Sequence, residues 1–314
     1  MAGTNSNMIR SAFSVETVAG LLNTSPVWRT THMLTTFTDE TKRYHQESLP
    51  GNGATQGDAL LDRTVVGKVN AAPMTYTLYD AFLESMLRST FAADVMTNGI
   101  GRQTMSFENS FPAGVGGALS YLRYRGVEAT AGQIKIDADM AVTQSFDLLG
   151  MIGNDTAGAA LAGATYVDPA NKDPFAAQAD VGAVTFAGYT PDAIASMTID
   201  FQYKTIDAQS AIGQDLLIGI ARGGLLPVIT VKFYVDTNFA AFRDSVRQTA
   251  QTPFKITVNL GSVTLKKYKL EFWSCYADMT APDYTGSSMF QTVTFRPQYS
   301  AANNGVVTIT RNLV

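Results

Sequence analysis

Apolar and polar residues alternate along much of this chain with the two-residue period of half-buried strands. Met197, Ile199, Phe201 and Tyr203 interleave with Thr198, Asp200 and Gln202, and Ile229, Val231, Phe233 and Val235 repeat the pattern. Ile134, Ile136, Ala138, Met140 and Val142 point one way, with Lys135, Asp137, Asp139 and Thr143 pointing the other. Met289, Gln291, Val293 and Phe295 alternate less cleanly. One-sided alternation predicts antiparallel sheet with one face covered and the other wet or interfacial. Two stretches switch to helical spacing. Tyr79, Phe82, Met86 and Leu87 make one apolar face, with Thr77 and Asp80 as a capping pair at its start. Phe239, Phe242 and Val246 make another, with Arg243, Asp244 and Arg247 elsewhere on the helix.

These elements recur in order. A strand, a short amphipathic helix and a further strand run from Met74 to Glu108, and again from Val228 to Leu260. The two units are separated by about 160 residues, half the chain, which reads as one β-rich module used twice. The predicted fold is mainly β, a sandwich or barrel with short flanking helices. Residues 1–12 read as a flexible arm, 13–152 as a first module and 191–314 as a second. The stretch 153–190, rich in Ala, Gly and Asp-Pro breaks, reads as a linker or insertion. Residues 41–63 form a polar, Gly-rich loop projecting between two strands, a kind of segment that carries function.

Composition narrows the function classes. The 314 residues are 46% hydrophobic and only 16% charged, so a large core is affordable and a low-charge surface suits a chain that hides itself against its own copies. The net charge is −4, with 11 basic against 14 acidic side chains in residues 1–150, one against four in 151–190, and 11 against nine in 191–314. No basic run exists, which argues against tight nucleic-acid binding. No apolar run approaches the ~20 residues of a membrane span, and the N-terminus lacks a signal-peptide core. The single Cys275 sits inside a strand pattern and reads as an inert thiol.

Catalytic chemistry is sparse, and the chain does not read as an enzyme. His32 and His45, near Asp39, Glu40 and Glu47, match no metal-ligand spacing. Gly51, Gly53 and Gly57 lack the Lys and Ser/Thr of a phosphate loop. Asp137 and Asp139 share a strand face, but no partner base accompanies them. No catalytic, cofactor or metal site is expected.

In order, several segments resemble the tail tube proteins of bacteriophages, chiefly the siphophage type. They are Val15–Trp28, the helix Tyr79–Leu87, the strand Ser106-Phe-Glu-Asn-Ser-Phe111, then Tyr124–Asp137 and Thr143–Met151. Ile194–Asp200, Ala211–Gly219 and Phe233-Tyr-Val-Asp236 follow in the second half. The resemblance spans most of residues 15–314 and lies in the order of the segments, each of which is unspecific alone; 157–187 has no counterpart. It implies a structural virion protein, assembled in the host cytoplasm, whose subunits close their inner strands into one β-barrel around the DNA channel. Two modules per chain imply trimeric rings with pseudo-sixfold symmetry, with hexamers as the alternative, stacked into a tube.

The resemblance further implies that the loop with Arg43, Leu49, Pro50, Gly51, Gly53, Gly57 and Asp58 reaches the neighbouring ring. Its partners would be terminator, tape-measure and baseplate or distal tail proteins, with genomic DNA in transient passage and no membrane. Asp137, Asp139 and Asp200 are the lumen candidates, on polar strand faces. Two other readings stand beside this one. The first is a different virion protein, such as a decoration protein or tail terminator. The second is a carbohydrate-binding sandwich that stacks sugars on Trp28, Trp273 and tyrosines.

Overall fold

The computed structural model describes residues 9–31, 34–45, 58–112, 118–186, 189–212, 216–247, 253–283 and 288–313. The first half holds β1 (Arg10–Val15), β2 (Val27–Thr30), β3 (Thr36–His45), β4 (Asp58–Pro73), α1 (Asp80–Leu87), β5 (Val95–Thr97), β6 (Met105–Pro112), β7 (Leu119–Asp137), β8 (Thr143–Gly150) and β9 (Ile152–Ala157). Between the halves lie β10 (Thr165–Val167), α2 (Ala177–Asp180) and β11 (Thr185–Phe186). The second half holds β12 (Ile194–Phe201), β13 (Ile206–Gln209), β14 (Gly219–Arg222), β15 (Val228–Tyr234), α3 (Phe239–Arg247), β16 (Phe254–Leu260), β17 (Tyr268–Met279), β18 (Phe290–Arg296) and β19 (Val307–Arg311).

One sheet runs through both halves in the order β3–β4–β8–β7–β12–β15–β18–β17, every neighbour antiparallel. Two further sheets pack on one side of it. The first is β10–β2–β1–β6–β7–β9, and the second is β11–β16–β17–β19–β5. The strands β7 and β17 therefore belong to two sheets each. Their first parts pair outward, with β6 and β9 or with β16 and β19, and their last parts pair in the continuous sheet.

The bend that lets one strand serve two sheets has the same cause in both halves. Gly126 (φ +64°) and Ser274 (φ +49°) sit in the left-handed region. Beside each, the ladder slips. Met105 faces Val127 while Phe107 faces Tyr124, and Phe254 faces Cys275 while Ile256 faces Phe272. A bulge of this kind swings the strand and increases its twist. Glycine takes the conformation freely, and a Cβ there would also meet Met151 at 2.8 Å. Ser274 adopts it at a cost of roughly 1 kcal/mol.

Each half has its own aromatic core, built around a helical phenylalanine. Phe82 of α1 meets Phe13 at 5.0 Å, Phe146 at 5.2 Å and Phe107 at 5.7 Å between ring centres. Phe242 of α3 stacks on Tyr189 at 4.6 Å and touches Phe186, Phe233 and Phe254. The halves are also welded. The β7–β12 ladder joins them, and so does β5, a first-half strand that extends the second half's outer sheet. Arg222 of β14 reaches into the first half. It forms an ion pair with Glu128 and donates to the Ser85 carbonyl, while Tyr203 donates to the Met86 carbonyl. Both charged side chains are buried. Arg311 of β19 binds Asp80 and Asp94 of the first half.

Several expectations are corrected. The end of the expected flexible arm, residues 10–12, lies in β1 and pairs with β6. Residues 41–45 and 58–63, expected as loop, are paired strand from Thr41 opposite Arg63 to His45 opposite Asp58. The helix α1 has Tyr79 at its N-cap with no side-chain cap, and Thr77 has φ +65°. Asp80 is drawn to Tyr268 and Arg311 instead of capping. The strand β7 ends at Asp137, so Asp139 and Met140 sit in a turn and Met140 is exposed. The unperiodic stretch 153–190 is used as sheet edging, with β10 beside β2 and β11 beside β16.

Replacing Glu128 by alanine strands Arg222, whose side chain is fully enclosed, without its carboxylate. The expected cost is about 3–5 kcal/mol, read as a lower urea midpoint at unchanged slope.

Candidate functional site

The alternation of apolar and polar residues gives the continuous sheet two unlike faces. On the continuous sheet, Ile134, Ile199, Ile229 and Phe295 stand opposite one another and are buried under the helices and outer sheets. The intervening residues therefore share the opposite, uncovered face. One ladder on it crosses six strands: Thr143, Lys135, Thr198, Thr230, Thr294 and Asp278. Short hydroxyl side chains dominate, and β-branched threonine suits a strand while keeping the surface wet.

Charges on this face are matched in place. Lys68 lies 3.3 Å from Asp147, Lys135 2.7 Å from Asp137 and Arg296 3.3 Å from Asp278. Gln133 donates to Asp200 at 2.7 Å. Lys232 lies over the Phe290 ring at 4.5 Å. Exposed pairs of this kind stabilise a fold by only ~0–1 kcal/mol, so their consequence is electrostatic. They leave a hydrophilic surface with no concentrated field of either sign.

The expected lumen residues divide. Asp137 and Asp200 lie on this face, one salt-bridged and one hydrogen-bonded. Asp139 is exposed in the turn after β7 and belongs to no strand face. Of the expected inter-ring residues, Arg43 is exposed on β3 and Asp58 opens β4; Leu49, Pro50, Gly51, Gly53 and Gly57 lie outside the described residues. His32, Glu47 and the side chain of His45 also lie outside them.

The sheet has two open margins among the described residues. At one, β3 pairs only with β4; at the other, the last part of β17 pairs only with β18. Sequence reading missed this. Alternation reveals a face, whereas an edge depends on which strands pair.

The concave sites offer no assembled chemistry. A cavity of about 570 Å³ is lined by Asp80, Glu84, Gln103, Arg29, Arg311 and Asp168 among others. Several of its polar groups are already engaged, Arg311 with Asp80, Gln103 with Glu84 and Asp168 with Thr30. Burial raises the Asp80 carboxyl above the usual range even though Tyr268 and Arg311 bind it. At Glu271 burial pushes up too, but Lys255 and Lys269 at 2.6 and 2.8 Å outweigh it and the carboxyl falls below its usual range. Among the described residues no group of three His, Cys, Asp or Glu could hold a metal ion. No described helix is long and apolar enough to cross a membrane. Trp28 is fully enclosed and Trp273 is half-buried, donating to Thr308 and carrying Lys255 on its ring. A sugar-stacking surface using both tryptophans is therefore ruled out.

No family model matches the chain, and no curated protein matches it significantly.

Cys275 is fully buried, and burial pushes its thiol up to about 12. At pH 8 it is thus protonated as well as enclosed. The folded protein is expected to give no reaction with a coloured thiol reagent over an hour and one equivalent after denaturation; prompt reaction of the native chain would contradict this packing.

Proposed function

We propose that this chain is a structural, self-assembling virion protein whose copies form rings that stack into a phage tail tube. The observation that carries the reading is the continuous eight-stranded sheet, with a polar, charge-matched face and two open edges.

Four strands from each half enter that sheet in the same order, β3–β4–β8–β7 and β12–β15–β18–β17. In each half a helix follows the second strand, and the fourth is bent at a left-handed residue. The β7–β12 ladder then joins one four-strand set to the next. Such an arrangement supports further head-to-tail addition, since closing a sheet on itself is the one way to abolish its edges.

Three copies of eight strands would give a barrel of 24. With strands ~4.8 Å apart and tilted about 40°, the backbone diameter would be roughly 48 Å. Removing about 5 Å of side chain on each side leaves roughly 38 Å, wide enough for a nucleic-acid duplex. The threonine-rich face suits passage. Phosphate-binding affinity grows with the number of uncompensated Lys and Arg contacts, and here Lys68, Lys135 and Arg296 are engaged by carboxylates and Lys232 lies over an aromatic ring.

The test is negative-stain electron microscopy of the purified chain over a range of concentrations. Hollow rods or stacked rings are expected, with class averages reporting threefold or sixfold symmetry. Single rings that never stack would favour a terminator-like role, and small particles of one size at every concentration would count against assembly altogether. Removing residues 48–58 is expected to abolish rods while leaving the circular dichroism spectrum and melting temperature within a few degrees of the parent. Rods of normal length from that variant would refute an inter-ring role for the loop.

A further inference from the structure

We infer that β3 of one copy pairs antiparallel with the end of β17 in the next copy in one register, with Thr38 opposite Thr280 and Asp39 opposite Met279. The inference rests on the ring-forming reading and adds to it the address of the joint.

The chain carries a template for this joint in its own β7–β12 ladder, and the register follows by matching the halves pair by pair. The left-handed residues Gly126 and Ser274 make Val127 equivalent to Cys275, and hence Ala129 to Ala277. Ala129 faces Leu148 and Ala277 faces Phe295, so Phe146 corresponds to Val293, two residues earlier on each strand. Those two face Val69 and Val231, which makes Gly67 equivalent to Ile229. Gly67 faces Phe37, and Ile229 faces Ile199.

In the internal joint, Phe201 faces Gly132 and Asp200 faces Gln133. The equivalents on β3 are Asp39 and Thr38. Met279 faces Val293 as Gly132 faces Phe146, and the Thr280 amide donates to the Thr292 carbonyl, which places it as Gln133 is placed. The internal Gln133–Asp200 hydrogen bond is thus replaced at the outer joint by a threonine pair, a favourable cross-strand combination.

The β3 edge has the marks of a strand missing its neighbour. Phe37 is only partly buried, stacked on Tyr124 at 4.2 Å, whereas its equivalent Ile199 is fully buried between β15 and β7. Asp39, next to it, has a buried Oδ1 with no hydrogen-bond partner among the described residues. Beyond the threonine pair the register brings Glu40 opposite Asp278. Like charges there would repel, but Asp278 already holds Arg296 at 3.3 Å, so one cation serves two acids.

The experiment uses the full chain with Thr38→Cys and Thr280→Cys together. Both sites are exposed, and Cys275 is buried with its thiol protonated, so it does not compete. Within one copy the two positions lie at opposite margins of the sheet, seven strand spacings or roughly 34 Å apart, so no intramolecular disulfide can form. Across the joint their Cα atoms would be about 4.5–5.5 Å apart, within disulfide range. Oxidation is expected to link most of the protein into dimers and larger species that revert on reduction.

The control pair Thr38→Cys with Asp278→Cys is offset by two residues, about 8 Å, and is expected to link at least tenfold less. Efficient linking of the control and not of the test pair would overturn the register. Rings or rods visible by microscopy with neither pair linking would overturn the joint while leaving the ring reading intact. Absence of both links and assemblies, from variants that melt like the parent, would remove the reading together with the joint.

Discussion

Most of this architecture depends on the backbone of β7 and β17 bonding in two sheets. A strand has donors and acceptors on two sides only, so serving four neighbours requires a change of partner along its length. The 19 residues of β7 pair first with β6 and β9, then with β8 and β12. The change is possible because Gly126 turns the strand through a left-handed residue, and Ser274 does the same in β17. A straight β7 would leave either the outer sheet or the continuous sheet without its central member. The helical phenylalanines Phe82 and Phe242 sit in the aromatic cores beneath these bends, so packing and backbone bonding reinforce each other.

The welds between the halves have a different character. Arg222 and Glu128 are side chains that water would otherwise solvate well, and burying them costs several kcal/mol each before they meet. Well-packed apolar groups could hold the halves as firmly. What the ionic contact adds is placement, because a guanidinium held by both Glu128 and the Ser85 carbonyl tolerates little sliding. In a molecule whose halves must present one unbroken sheet, a slip of one residue would reverse every side chain on the joined strand. Arg311, held between Asp80 and Asp94, constrains the far side of the same seam.

The β class and the inward residues of β12 and β15 were readable, because Met197 and Ile229 begin clean alternations and local pattern reports burial, while β18 showed the same period less cleanly. The second helix was readable to its ends for the same reason. The first was not. Thr77 and Asp80 look like a cap, yet Asp80 is bound by Tyr268 and Arg311, which lie about two hundred residues away and leave no local signal. Asp139 was placed on a face because alternation continues past Asp137 into a turn that the chain makes for tertiary reasons. The stretch from Ile152 to Phe186 shows no period because its strands are edge pieces two to six residues long. Half of the polar face was legible as the complement of the apolar one; its open margins were not, since they are properties of pairing.

Open margins are a hazard that the sequence handles at both ends. The β3 edge carries Asp39, Glu40, Lys42 and Arg43, and the opposite margin runs into Ala281-Pro282, which removes a backbone donor. Charge and proline discourage indiscriminate strand addition, and under the proposed joint they would leave the matched edge as the better partner. An interface of this head-to-tail kind makes closed rings when its rotation divides a full turn, and open filaments when it does not. If the outer joint repeats the β7–β12 ladder, the operation that carries one half onto the other, applied twice, carries each copy onto the next. Closure is then decided inside the single chain, by the twist of four strands and the seam that holds them, before any second copy arrives.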